Sequence, residues 1–125
     1  MRRGWFVLFA VLSLCAVARA DNDTAEARRH YDQGSTAYSL GDFTHAAEEY
    51  KAAYKAKPDP AFLYNIAQAY RLANDAPNAL FFYKSFLHNL PDAPNRPEVE
   101  DRIAKLEAQI AAQNARGKQP PSTTI

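Results

Sequence analysis

Cysteine, glycine and early proline are all scarce in this chain of 125 residues: there is one Cys, there are four Gly, and the eight Pro begin only at Pro58. Cys15 lies inside an N-terminal apolar segment that reads as a removable leader, so the mature chain would hold no thiol. That excludes disulfides, thiolate catalysis and Cys-based zinc or iron-sulfur sites. Four scattered glycines form no phosphate-cradling loop, and no Ser sits in a Gly-x-Ser-x-Gly turn. No β-branched, alternating run marks a strand after the leader, and no basic run offers a surface to a phosphate backbone. The histidines are His30, His45 and His88, and none shares a His-x-x-x-His or Glu-x-x-His spacing that would set metal ligands on one helical face. The acidic clusters Glu48-Glu49 and Glu98, Glu100, Asp101 read as solvated helix faces. On this inventory the chain is expected to be no enzyme, with no catalytic residues, no metal and no cofactor, and nucleic acid is not an expected partner.

The leader is read from Met1-Arg2-Arg3, the apolar run from Trp5 to Val17, and Ala18-Arg19-Ala20, which has the small-x-small pattern that a signal peptidase recognises. Residues 1–20 are therefore expected to be a cleavable signal peptide, leaving 125 − 20 = 105 residues, enough for one domain. The apolar run is too short for a transmembrane span. Leu12-Ser13-Leu14-Cys15 has the outline of a lipobox, with bulky Leu14 where a small residue is wanted. The expectation is export to the periplasm or beyond, lipidation through Cys15 being the lesser alternative. Three of the fifteen Lys and Arg are in the leader, so against fourteen Asp and Glu the mature charge is 12 − 14 = −2.

What the chain has in excess is aromatics: all seven Tyr and five of the seven Phe fall between Tyr31 and Phe86. Helix punctuation divides the same region. Asp23 with Glu26 forms a possible capping box for a helix reaching Leu40, where Gly41-Asp42 breaks it. Thr44 can cap a second helix ending before Pro58. Asp59-Pro60 opens a third helix to Ala73, and Asn74-Asp75 separates it from a fourth, which runs to Asn89 with Pro77 in its first turn. The segment from Pro91 to Pro97 is a stiff linker. A fifth helix follows, with Val99, Ile103, Leu106 and Ile110 at spacings of 4, 3 and 4, and Glu98–Arg102 and Asp101–Lys105 as i,i+4 pairs on its wet side. The fold class is all-α.

The chain also repeats at 33 residues: Gly34 with Ala67, Gly41 with Asn74, Asp42 with Asp75, Ala46 with Ala79, Tyr50 with Tyr83 and Pro58 with Pro91. Small residues at the first and fourth of these pairs let the two helices of a hairpin approach closely. The tyrosines fill the space between successive hairpins.

This pattern resembles two tandem tetratricopeptide repeats. The first, about 27–59, is similar to the family motif at Gly34, Gly41-Asp42-Phe43, Ala46, Tyr50, Ala53 and Pro58. The second, about 60–91, is similar at Leu63, Ile66, Ala67, Tyr70, Ala79, Tyr83 and Pro91. His30, Ala76 and Phe86 depart from it, standing where Trp, an aromatic and Ala are usual. Residues 97–115 would be the capping helix of a short α-solenoid with domain limits 21–115, and 116–125 a disordered tail. The whole is similar to short exported tetratricopeptide proteins of bacteria.

The resemblance implies a concave groove lined by the first helix of each unit, which would meet an extended peptide or a partner helix. Carried over position by position, the groove would hold Arg28, Tyr31, Asp32, Ser35 and Tyr38 from the first unit and Tyr64, Asn65, Gln68, Arg71 and Leu72 from the second. Tyr with Asn, Gln and Arg makes a suitable recognition set. Periodicity also assigns Tyr38, Tyr50, Tyr70 and Tyr83 to the core. Asn65 matches one position of the carboxylate clamp known in the family, but Tyr31 and Ser35 stand where Lys and Asn are wanted, so that clamp is not expected. The function implied is a protein-protein interaction module, scaffold or adaptor, for an envelope protein of unknown identity. The alternative is a self-associating structural subunit, a homo-oligomer built through exposed array ends.

Overall fold

A computed structural model of the chain describes the backbone of residues 5–119 and the side chains of residues 18–119. Five helices follow one another: α1 (Trp5–Ser39), α2 (Phe43–Ala56), α3 (Pro60–Leu72), α4 (Ala76–Asn89) and α5 (Arg96–Gly117). Each packs on the next, α1 on α2, α2 on α3, α3 on α4 and α4 on α5. The described residues contain no strand, and the architecture is an all-α short helical-repeat solenoid.

The 33-residue repeat is present in the backbone as well as in the sequence. Gly41 and Asn74 both adopt positive φ, 80° and 59°, the left-handed conformation that Gly and Asn tolerate and that turns the chain after a helix. The next residue then caps the following helix in each unit. Asp42 accepts from the His45 amide at 3.2 Å, and Asp75 accepts from the Asn78 amide at 3.2 Å. The amides of these two aspartates donate to Ala37 and Tyr70, again 33 apart, both at 2.9 Å. The expected cap at Thr44 is thus corrected to Asp42, whose carboxylate reaches the third amide beyond it.

Close approach explains the small residues. A Cβ on Gly34 would lie 2.8 Å from the Tyr50 ring, so α1 and α2 can cross at that distance only with a bare backbone there. Ala46, Ala67 and Ala79 are completely buried at the matching helix crossings. The core runs through both hairpins into α5, joining Ala46, Tyr50, Leu63, Ile66, Tyr83 and Phe86 to Val99 and Leu106. Ile103 and Ile110 pack against it half-buried. The apolar stripe read in the sequence therefore seats α5 on α4, and Lys84 adds an ion pair to Glu107 at 2.8 Å. The linker before α5 is pinned by buried Ala93 and by Arg96 Nη1, which donates to the Pro91 carbonyl at 2.8 Å.

Two boundaries differ from expectation. Asp23 is not an N-cap, because α1 continues upstream of it to Trp5. Nothing between Val17 and Asp23 breaks a helix: Ala18-Arg19-Ala20 are strong helix formers, and Thr24 Oγ1 bonds back to the Ala20 carbonyl at 3.0 Å. Among the described side chains, the buried ones begin only at Ala27. At the other end α5 takes in Arg116 and Gly117, the first two residues assigned to the tail. Residues 120–125 of the tail, and residues 1–4 of the leader, lie outside the described residues. Among the described residues no helix is long and apolar enough to cross a membrane.

Candidate functional site

The surface on which the groove was expected is built from α1, α3 and α5. Its centre is a chain of polar contacts that starts from the repeat. In the first unit Ser35 Oγ lies 3.3 Å from Tyr50 Oη. At the positions 33 residues on, Tyr83 Oη donates to Gln68 Oε1 in a short hydrogen bond. In each unit the buried tyrosine of the second helix thus reaches a polar residue of the first and fixes its rotamer. Tyr31 and Tyr64, also 33 apart, stand beside these tyrosines, with ring centroids 5.8 Å from Tyr50 and 6.1 Å from Tyr83.

From Gln68 the network spreads across the groove. Its Nε2 donates to Tyr64 Oη at 3.0 Å, and Tyr64 Oη donates to Glu98 Oε1 on α5 at 3.3 Å. Arg102 Nη2 donates to the same Glu98 oxygen at 2.8 Å. Arg71 Nε points inward, 3.2 Å from Gln68 Oε1 and 3.3 Å from Tyr83 Oη. Its terminal nitrogens make no hydrogen bond among the described residues, and they face an open depression of about 430 Å³ lined also by Glu98, Asp101, Arg102 and Lys105. The Arg102 guanidinium holds the Glu98 carboxyl below its ordinary pKa. Burial raises the Tyr83 phenol, and burial with the Glu98 charge raises that of Tyr64. Both phenols accordingly stay protonated as donors at neutral pH.

The expected groove residues divide into three groups. Tyr64, Gln68 and Arg71 come together in the network, and Tyr31 and Ser35 continue its face onto α1. Tyr31 is 40% exposed and packs beside Phe62 of α3, with centroids 6.0 Å apart. Tyr38 is half-buried, edge-on to Phe43 at 5.3 Å, while Leu72 is half-buried and Arg28 exposed on α1. Asn65 turns to a neighbouring apolar depression with Pro60, Phe86, Leu90 and Pro94, a cleft that Tyr64 shares. Asp32 faces a different depression, with His45 and Glu49 on the outer side of the first hairpin. Of the tyrosines assigned to the core, Tyr50, Tyr70 and Tyr83 are buried.

Sequence reasoning did not place Tyr83, Glu98 and Arg102 in the groove. Glu98–Arg102 was legible as a pair, but its direction, toward Tyr64 and not into bulk water, depends on how α5 sits. The Tyr83 hydroxyl had a signal in the sequence: a buried tyrosine in the same phase as Tyr50 needs a polar partner. A second polar cluster also went unread. His30 Nδ1 lies 2.7 Å from Glu49 Oε2 across the α1–α2 seam, and His45 Nε2 lies 3.3 Å from Glu49 Oε1. The hydrogen bond from His30 lowers the Glu49 pKa. Among the described residues no group of His, Cys, Asp and Glu is arranged to hold a metal ion.

No family model matches the chain, and no curated protein matches it.

Proposed function

We propose that this chain is an exported, non-enzymatic tetratricopeptide module whose α1–α3–α5 face binds a segment of an envelope partner, as scaffold or adaptor. The observation that carries the reading is the network joining Tyr64, Gln68 and Arg71 to Tyr83, Glu98 and Arg102. It holds a phenol, an amide and a guanidinium in fixed positions on one open face, and a guanidinium with free terminal nitrogens is suited to peptide carbonyls and carboxylates. Side chains already held in place lose little entropy on binding, which favours affinity. Export is supported by the leader pattern of residues 1–20 and by the exposure of Ala18, Arg19 and Ala20, ahead of the first buried side chain.

Affinity capture from an envelope extract tests the proposal, comparing wild type with a Tyr64→Ala plus Arg71→Ala variant of unchanged helical content. The expected result is one or more proteins held by wild type and lost by the variant; identical sets of captured proteins contradict the groove reading.

A further inference from the structure

The two units can be compared position by position on the side that faces up the array. In the second unit this side is apolar and covered: Leu63, Ile66 and Phe82 face Lys51 and Tyr54 of α2, and Ala69 and Tyr70 are buried beside them. The residues 33 positions earlier are His30, Glu49, Gln33, Thr36 and Ala37. No helix of the described residues covers that side of the first unit. Leu63 and Phe82 are thus answered by an imidazole and a carboxylate 2.7 Å apart, and Ile66 and Ala69 by exposed Gln33 and Thr36.

A face of that composition is costly to dehydrate. Covering it with an apolar surface would strip water from Glu49, from exposed His45 and Asp42, and from the Gln33 amide, with no partner in return. The opposite end has the same character. Val99 and Leu106 of α5 are buried on α4, while its outward residues Glu100, Ala104, Glu107, Ala108 and Gln109 are exposed.

We infer that the array is closed at both ends by polar faces, with His30–Glu49 standing where the second unit has Leu63–Phe82, so that neither a second copy nor another helical unit stacks on it. The protein acts as a single copy, and a self-associating assembly built through the array ends is excluded. The inference is independent of what the groove binds.

Sedimentation velocity over a range of micromolar concentrations tests it, on protein produced from the full-length coding sequence with its N-terminus read by mass spectrometry. Wild type is expected to sediment as a monomer throughout, and a dimer overturns the inference. His30→Leu, Gln33→Ile and Glu49→Phe together restore the composition of the second unit's face and should raise the sedimentation coefficient with concentration. A folded triple variant that remains monomeric also overturns it. Should the triple variant lose its helical content, Gln33→Ile with Thr36→Leu, both at exposed positions, is read by the same two outcomes.

Discussion

At the residue scale, distance decides which positions tolerate change. Gly34 is required by the 2.8 Å approach that a Cβ would make to the Tyr50 ring. Gly34→Ala should cost about 1–3 kcal/mol in chemical denaturation, since the ring can move only by disturbing its contacts with Ser35 and Tyr31. The Ala at the equivalent position 67 shows that a methyl fits where the opposing ring sits differently. Glu49 carries a pH dependence. The His30 hydrogen bond holds its folded-state pKa below the ordinary value, so its contribution is complete above the unfolded carboxyl's pKa and disappears as pH falls through the folded one. The melting-temperature gap between wild type and Glu49→Gln should be widest near neutrality and close with acidification through the carboxylate range. A gap that stays constant would mean that the His30–Glu49 pair contributes nothing to folding.

Elements are where sequence and structure agree most, and the reason is local chemistry. Gly41-Asp42 and Asn74-Asp75 each place a residue that tolerates positive φ directly before a side-chain acceptor, and such pairs act within four residues of themselves. Asp42→Ala and Asp75→Ala should each cost about 1 kcal/mol in thermal or chemical melts. The start of α1 was less legible, because Asp23 with Glu26 looks like a cap from either side; only the absence of a breaker at Ala18-Arg19-Ala20 lets the helix continue. The α5 stripe was legible from its spacing, but what its polar residues face was not. That depends on the angle at which Val99 and Leu106 seat the helix, and on the Pro91–Arg96 contact that aims it. Leu106→Ala should cost about 2–5 kcal/mol and raise amide exchange throughout α5, including the turn that carries Glu98 and Arg102.

On the scale of the whole molecule, one period of 33 residues accounts for both the packing and the candidate site. Repetition brings Tyr50 and Tyr83 to the same place in successive hairpins, and their hydroxyls fix Ser35 and Gln68 on the open face. The pairs were visible in the sequence as repeats. Their hydrogen bonds were not, because they join residues 15 apart on different helices. The network then crosses to α5, which belongs to neither repeat. Polar end faces confine recognition to the α1–α3–α5 surface. Site-specific photo-crosslinking in cells, from Tyr31 on that surface and from Asn78 on exposed α4, tests this central claim most directly. The account predicts a discrete adduct from position 31 that is absent from position 78 and is lost in the Tyr64→Ala plus Arg71→Ala background. Equal adducts from both positions, or an adduct at 31 indifferent to the double substitution, would contradict it.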